Sequence, residues 1–389
     1  MYEGKAEILK RECGHHKRIL FAAGGTGGHI FPALAVEKAI MGLDGSVETR
    51  FVCGSRPVEV EIYRRSGTAP VILDVQPLRS GFLSRSMGIL HLFKGFAEAV
   101  VFLRKWKPDR ILAQGGYITA PVLLAAGLLG IPYDLQEQNS VPGRTNRWFA
   151  RRAGTVYCSF EQAIARFGNG SRKIACLYTG MPLRSEAIGT GKKRVEVCRS
   201  FGLDPSLPVL LILGGSQGAR HLYEQILNSL YQIDSEKGEY KDFQCLWSTG
   251  QQNLEWIREN LVRRPFSRIR VVLRPFIEDM GAAYSIAAAA ISRAGACSVA
   301  ELMANRIPTI FIPLPHAVND HQRENARAVV KDGAGYFLEE GNLGNGRFAE
   351  TLGEVLYSEK KRAEMIRAAE KMFPLDAAKI IALEMMKKI

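Results

Sequence analysis

Three glycine clusters at expected strand-to-helix junctions constrain this chain more than anything else in it. They are Gly24-Gly25-Thr26-Gly27-Gly28-His29, Gly115-Gly116-Tyr117 and Gly214-Gly215-Ser216-Gln217-Gly218. The first and third follow the apolar runs 18–23 and 208–213 and precede apolar residues at helical spacing. That order predicts strand, glycine loop and helix. Backbone amides left bare at a helix N-terminus form an anion site. Two such sites facing each other can hold a diphosphate and the sugar it carries, so a phosphate-bearing substrate is the first expectation.

The same alternation runs through both halves. In the first half the pattern predicts strands at 18–23, 48–53, 71–75, 110–113 and 131–135, with helices at 31–41 and 121–129. After Arg184 it restarts, with strands at 208–213, 245–248, 269–273, 290–292 and 309–312 and helices from Ala219 and near Ser298. Such alternation predicts parallel, doubly wound α/β sheets. A chain of 389 residues, 47% of them hydrophobic, suits two domains of similar size. Gly180-Met181-Pro182-Leu183-Arg184 interrupts the periodicity and reads as the hinge, which sets domains at 1–182 and 183–373. Open α/β sheets bind ligands at the carboxyl ends of their strands, so the two Rossmann-like units should face each other across a cleft. The tail 374–389 reads as an amphipathic helix, its closing Lys387-Lys388 complementing the helix dipole, that packs back on the first domain.

A formal charge of +13 calls for an anionic partner: nucleic acid, an anionic bilayer or phosphorylated small molecules. The basic residues are scattered and no nucleic-acid-binding signature is visible, which argues against the first. Seven cysteines, widely spaced and never as CxxC, fit a reducing cytoplasm and no zinc site. Residues 1–17 are polar and lack the apolar core of a secretory signal; they read as a loose extension. No apolar run approaches the roughly 20 residues of a membrane span, so any membrane contact should be peripheral.

Several side chains can carry chemistry. The loop GGTGGH lacks the G-x-G-x-x-G spacing of a dinucleotide site, which disfavours hydride transfer. His29 stands at the start of a helix, whose dipole favours neutral imidazole; it is either a general base or a structural histidine. Ser216 and the amides around it can dock a diphosphate, or the loop is a plain tight turn. The stretch 292–301, SRAGACSVAE, lets a ligand approach its backbone, and Glu301 can accept two ribose hydroxyls or stand solvated on its helix. Gln322, in the polar run 319–325, can reach a sugar or belong to an ordinary loop. Between 82 and 107, apolar residues such as Leu90 and Phe93 alternate with Arg85 and Lys94. That pattern suits either an anionic bilayer or a core helix with one wet face.

Taken together, GGTGGH at 24–29, Glu137-Gln138-Asn139, GGSQGAR at 214–220, Arg274-Pro275-Phe276-Ile277, the 292–301 stretch and Asp320-His321-Gln322 closely resemble the MurG family of bacterial N-acetylglucosaminyltransferases. The resemblance covers nearly the whole chain after Lys17. It implies a GT-B fold, with UDP-N-acetylglucosamine held mainly by the second domain and lipid I, the acceptor, mainly by the first. Thr26, Gly27, Gly28 and Asn139 would reach the donor from the first domain. Arg184, Ser216, Ile277, Ala296, Cys297, Ser298, Val299, Ala300, Glu301 and Gln322 would complete its pocket. In that arrangement Glu301 holds the ribose, Ile277 offers backbone to uracil, Ser216 takes the diphosphate and His29 is the catalytic base.

The family's inverting chemistry sends the 4-hydroxyl of N-acetylmuramic acid against the anomeric carbon and expels UDP. Without a DxD sequence, helix N-termini would stabilise the leaving group, with no cofactor or metal. Segment 82–107 would then dock on the anionic inner leaflet, at the cytoplasmic face of the inner membrane, with cell-wall synthesis proteins as further partners. Two positions depart from the family pattern: Gln136 where it has His, and Met181 where it has Asn. Altered acceptor contacts or pH dependence are expected from them. The rival readings are a UDP-N-acetylglucosamine 2-epimerase of the same architecture and a noncatalytic nucleotide-sugar-binding scaffold.

Overall fold

The computed structural model describes residues 16–76, 82–168, 174–189, 191–214, 219–236, 242–315, 317, 320–344 and 346–389, with the backbone alone for 82–90. Ser216 and the side chains of Arg85 and Leu90 lie outside the described residues.

Two parallel sheets form the two lobes. The first holds β1 (Arg18–Ala22), β2 (Glu48–Gly54), β3 (Val71–Leu73), β4 (Arg110–Ala113), β5 (Tyr133–Glu137), β6 (Val156–Cys158) and β7 (Cys176–Tyr178). Their spatial order is β3-β2-β1-β4-β5-β6-β7. The second holds β8 (Val209–Leu213), β9 (Phe243–Ser248), β10 (Ile269–Arg274), β11 (Ala287–Ser292), β12 (Thr309–Phe311) and β13 (Gly335–Phe337), ordered β10-β9-β8-β11-β12-β13. Every pairing is parallel. Strands such as β8, VLLIL, are apolar throughout because helices cover both faces of the sheet.

The strand order reverses between β1 and β4 in one sheet and between β8 and β11 in the other. At such a reversal the crossover helices leave on opposite faces and open a crevice at the carboxyl end of the strands. The glycine clusters after β1 and β4 flank the first crevice. Gly214 after β8 and the small residues after β11 flank the second. The fold thus turns glycine loops that are far apart in sequence into neighbours.

Apolar clusters cover each face of each sheet. The last helix, Ala377–Met386, buries Ile381, Ala382 and Met385 against Ile30, Val36 and Ile40 of the helix Gly27–Leu43 in the first lobe. Beyond it, Lys388 Nζ meets the fully buried Asp134 carboxylate at 3.0 Å, and Arg110 meets the same carboxylate at 3.0 Å. Charge pairing makes Asp134 tolerable in a dry setting.

Candidate functional site

The first-lobe loop is glycine-rich for steric reasons. Gly25 adopts φ +94°, and Gly115 and Gly116 adopt +83° and +77°, a region that side chains resist. A Cβ on Gly24 would stand 2.5 Å from Glu59 Oε2, and one on Gly54 would overlap the Tyr117 hydroxyl. Glu59 is fully buried; it accepts from the Gly54 amide at 2.9 Å and from the Tyr117 hydroxyl. Arg56 Nη1 donates to the Gly25 carbonyl at 3.1 Å, and the Tyr63 hydroxyl donates to the Ala23 carbonyl at 2.8 Å. Thr26 caps the helix Gly27–Leu43 in extended geometry, without a side-chain cap bond. The amides of Gly27 and Gly28 belong to the first turn, which a helix leaves without internal acceptors.

His29 lies between Gly25 and Gly116, and its Nδ1 is buried without a hydrogen-bond partner. Burial, first, and the facing His321 of the second lobe, second, lower its pKa from 6.5 to about 4, against an opposing pull from the Gly24 carbonyl. The imidazole is therefore neutral at pH 7. Desolvation and a second histidine lead here, rather than the helix dipole that the sequence suggests.

In the second lobe the helix Ala296–Ala304 begins directly after Gly295. Ala296, Val299 and Ala300 turn their side chains into the core, so these three can serve a ligand only through backbone. Cys297, Ser298 and Glu301 are partly exposed. Glu301 is not a solvated helix residue: Tyr284 Oη donates to its Oε2 at 2.8 Å, and burial raises its pKa. Arg184 acts in the opposite direction on Glu301 and lays its guanidinium over the Phe31 ring of the first lobe at 3.9 Å. Its Nε is buried without a partner. Gln322 Oε1 accepts from the Leu314 amide at 3.0 Å, which ties the loop after β12 to the start of the helix His321–Lys331. Ile277 is buried, and Gly214 is packed on the Tyr223 hydroxyl.

The lobes meet through Asn139 and Cys297, which the sequence singled out, and through Asn325 and Ser140, which it did not. Asn325 is fully buried; its Oδ1 accepts from Ser140 N at 2.9 Å and Ser140 Oγ at 3.0 Å. Its Nδ2 donates to Asn139 Oδ1 at 3.1 Å and to the Ala294 carbonyl at 3.2 Å. Asn139 is thus held from both lobes, since its amide also donates to buried Glu137 at 2.9 Å. Cys297 Sγ donates to the Gly28 carbonyl across the cleft at 3.4 Å. Asn325 sits in the polar run 319–325, but no local pattern marks one amide in such a run as a cross-lobe partner.

The two departures from the family pattern meet inside the protein. Gln136 is buried and donates through Nε2 to Ser159 Oγ at 2.8 Å, and Ser159 Oγ donates to Met181 Sδ at 3.6 Å. Met181 is buried, 4.0 Å from Cys297 Sγ. Gln136 thus sits inside a hydrogen-bonded core network, and Met181 packs in the hinge.

Elsewhere in the first lobe, Phe93 is exposed, while Lys94 is paired with Asp74 at 2.6 Å. Val101, Leu124 and Leu128 are exposed too, and Trp148 is 85% exposed on a helix with Arg144 and Arg147 and followed by Arg151 and Arg152. Among the described residues no helix is long and apolar enough to cross a membrane, and no group of three or more His, Cys, Asp or Glu could hold a metal ion.

Residues 19–158 match the N-terminal domain of glycosyltransferase family 28, and residues 209–381 match its C-terminal domain. The chain is 36% identical over 356 residues to a UDP-N-acetylglucosamine–N-acetylmuramyl-(pentapeptide) pyrophosphoryl-undecaprenol N-acetylglucosamine transferase of Syntrophotalea carbinolica. That match covers 91% of this chain and 94% of the relative. The crystal structure of Acinetobacter baumannii MurG superposes with TM-score 0.70 at 26% identity, covering 95% of this chain and 99% of that one. UDP-GlcNAc 2-epimerase from Methanocaldococcus jannaschii reaches TM-score 0.62 at 13% identity, over 95% and 99% of the two chains, a likeness of fold alone.

Proposed function

Because the chain belongs to the family of UDP-N-acetylglucosamine–N-acetylmuramyl-(pentapeptide) pyrophosphoryl-undecaprenol N-acetylglucosamine transferases, we propose that it carries out that reaction in the cleft between its lobes. It is a glycosyltransferase. It moves N-acetylglucosamine from UDP-N-acetylglucosamine to the acceptor sugar of lipid I, making lipid II.

The observation that carries the catalytic reading is a neutral His29 held among glycine loops in a cleft whose opposite wall bears Glu301. A base must be unprotonated before it can accept a proton, and His29 is so at any pH well above about 4. In our reading its imidazole takes the proton of the acceptor's 4-hydroxyl as that oxygen attacks the anomeric carbon. Negative charge then builds on the departing diphosphate. Amides at the start of the helix Ala296–Ala304 and of the 214–218 loop, with Ser216, receive it, a fixed stabilisation that needs no reorganisation. Glu301, oriented by Tyr284, accepts the ribose hydroxyls, Ile277 offers backbone to uracil, and Arg184 reaches the donor from the hinge. Thr26, Gly27, Gly28, Asn139, Cys297, Ser298 and Gln322 close around the sugar and diphosphate.

Membrane docking belongs to the same proposal. Exposed Phe93, Val101, Leu124, Leu128 and Trp148 beside four arginines suit the anionic inner leaflet, where a lipid-linked acceptor resides. Leu90, Phe93, Arg85 and Lys94 were the sequence's candidates; Phe93 is exposed, and Lys94 is engaged by Asp74 and contributes less free charge.

The test is incubation of the protein with UDP-N-acetylglucosamine and a lipid I analogue in the presence of EDTA. Disaccharide product from the wild type and none from H29A supports the reading. A C2 epimer of the donor would identify the epimerase instead, and UDP-sugar binding without turnover would identify the scaffold.

A further inference from the structure

Glu340 follows β13 and is 4% exposed, yet no ligand role reaches it. Its carboxylate sits between two cation-forming side chains from different segments. Arg293 Nη1 lies 2.6 Å from Glu340 Oε2, and His221 Nδ1 bonds Glu340 Oε1. Arg293 is itself buried, and its Nη1 also donates to the carbonyls of Pro313 at 2.9 Å and Ile312 at 3.2 Å.

Each segment that Glu340 touches leads into the donor crevice. His221 is the second residue of the helix Arg220–Ser235, which the 214–218 glycine loop feeds. Arg293 stands three residues before the helix Ala296–Ala304. The carbonyls that Arg293 holds open the loop carrying Leu314, which Gln322 grips. The neighbouring Glu339 also makes an ion pair, with Arg323 at 3.1 Å, but that pair is partly exposed and lies outside the buried anchor.

The geometry points to Glu340 as a positioning residue for the donor's diphosphate: one buried carboxylate that fixes the glycine loop's helix, the β11 turn and the loop after β12 relative to one another. The inference rests on the reading that the diphosphate lies at the N-terminus of the helix Ala296–Ala304, beside the start of the helix Arg220–Ser235. Amides stabilise an anion only when their spacing is set beforehand, so a loosened anchor weakens diphosphate binding before it affects the base. It also leaves the Arg293 guanidinium buried without its counter-charge, beside the crevice floor.

The experiment measures UDP and uridine binding by calorimetry in wild type, E340A, E340Q, E340D and E339A, with melting temperature and steady-state kinetics alongside. E340A should bind UDP about tenfold more weakly, as loss of a charge-assisted contact predicts, while uridine binding changes less than about twofold. KM for UDP-N-acetylglucosamine should rise while kcat changes little, E340D should restore most of the loss, and E339A, removing a half-exposed pair, should stay within about twofold. If E340A does not fold, E340Q carries the test, because it keeps the shape and one acceptor; the same UDP-selective loss is expected, smaller in size. Unchanged UDP affinity, or equal loss of UDP and uridine, overturns the inference. A wild type that binds no UDP overturns the underlying donor reading instead.

Discussion

The lowered pKa of His29 has a consequence for stability that can be measured apart from catalysis. In the folded chain the ring titrates at about 4 against an ordinary 6.5. Below pH 6.5 the unfolded chain binds a proton that the folded chain refuses until about pH 4, so the unfolded state holds more protons and acid favours it. The His29 contribution is full above pH 6.5 and is lost as pH falls from 6.5 to 4. Between pH 7 and pH 5 the two pKa values give a loss of about 2 kcal/mol, reduced to about 1–2 kcal/mol because the ring is partly open to the cleft. The groups acting on it are His321 and the Gly24 carbonyl. H29Q is neutral at every pH and lacks this term. Urea unfolding at pH 7 and pH 5 should therefore show the wild type losing about 1–2 kcal/mol more than H29Q. NMR of labelled histidine should give the ring a midpoint near 4, and turnover should persist at pH 5.5. Parallel losses in the two proteins, or a midpoint near 6.5, would refute both the burial argument and the ready-made base.

Three further outcomes follow from contacts described above. N325A removes the amide that joins Asn139 and Ser140 to the second lobe; thermal or urea unfolding should show a loss of about 1–3 kcal/mol, and small-angle scattering a larger radius of gyration. Q136H and M181N, changed singly and together, should fail to add by about 0.5 kcal/mol or more, because both act through Ser159; additive effects would mean the two positions are independent. L124S/W148S should sediment less with anionic liposomes than the wild type while retaining UDP-N-acetylglucosamine affinity, and equal sedimentation would remove these residues from the docking surface.

Local pattern placed β1, β4 and β8, apolar runs that each lead into a glycine loop, within a residue of their expected bounds, whereas β9 and β11 begin two and three residues before the expected 245 and 290. It missed β6, β7 and β13, three residues each, which owe their existence to pairing with a longer neighbour and carry no period of their own. The strand expected from 131 starts instead at Tyr133, because the left-handed cap at Gly130 turns the Ile131 amide back to the Ala126 carbonyl and Pro132 has no amide to give the ladder. The glycine loops were legible because conformation and crowding both demand the absence of a side chain. Glu59, Tyr284, Asn325 and Glu340 were not, since each is polar and buried only through partners at least 17 residues away at one contact or another. The same long-range logic explains why Gln136 and Met181 looked like two separate departures in sequence and are one packed unit in space.

The anchoring of Lys388 on Asp134, with Ile381 and Met385 beneath it, bears on how the chain is made. A ribosome releases the first sheet long before it reaches residue 377, so the emerging lobe waits with one apolar flank uncovered and with Asp134 paired to Arg110 alone, without the second cation that Lys388 brings. Its core is finished only when the second lobe has been translated. Truncation at 376 should therefore impair the early half of the polypeptide rather than the late one, and a rigid fusion joined directly to Ile389 would compete with the final staple.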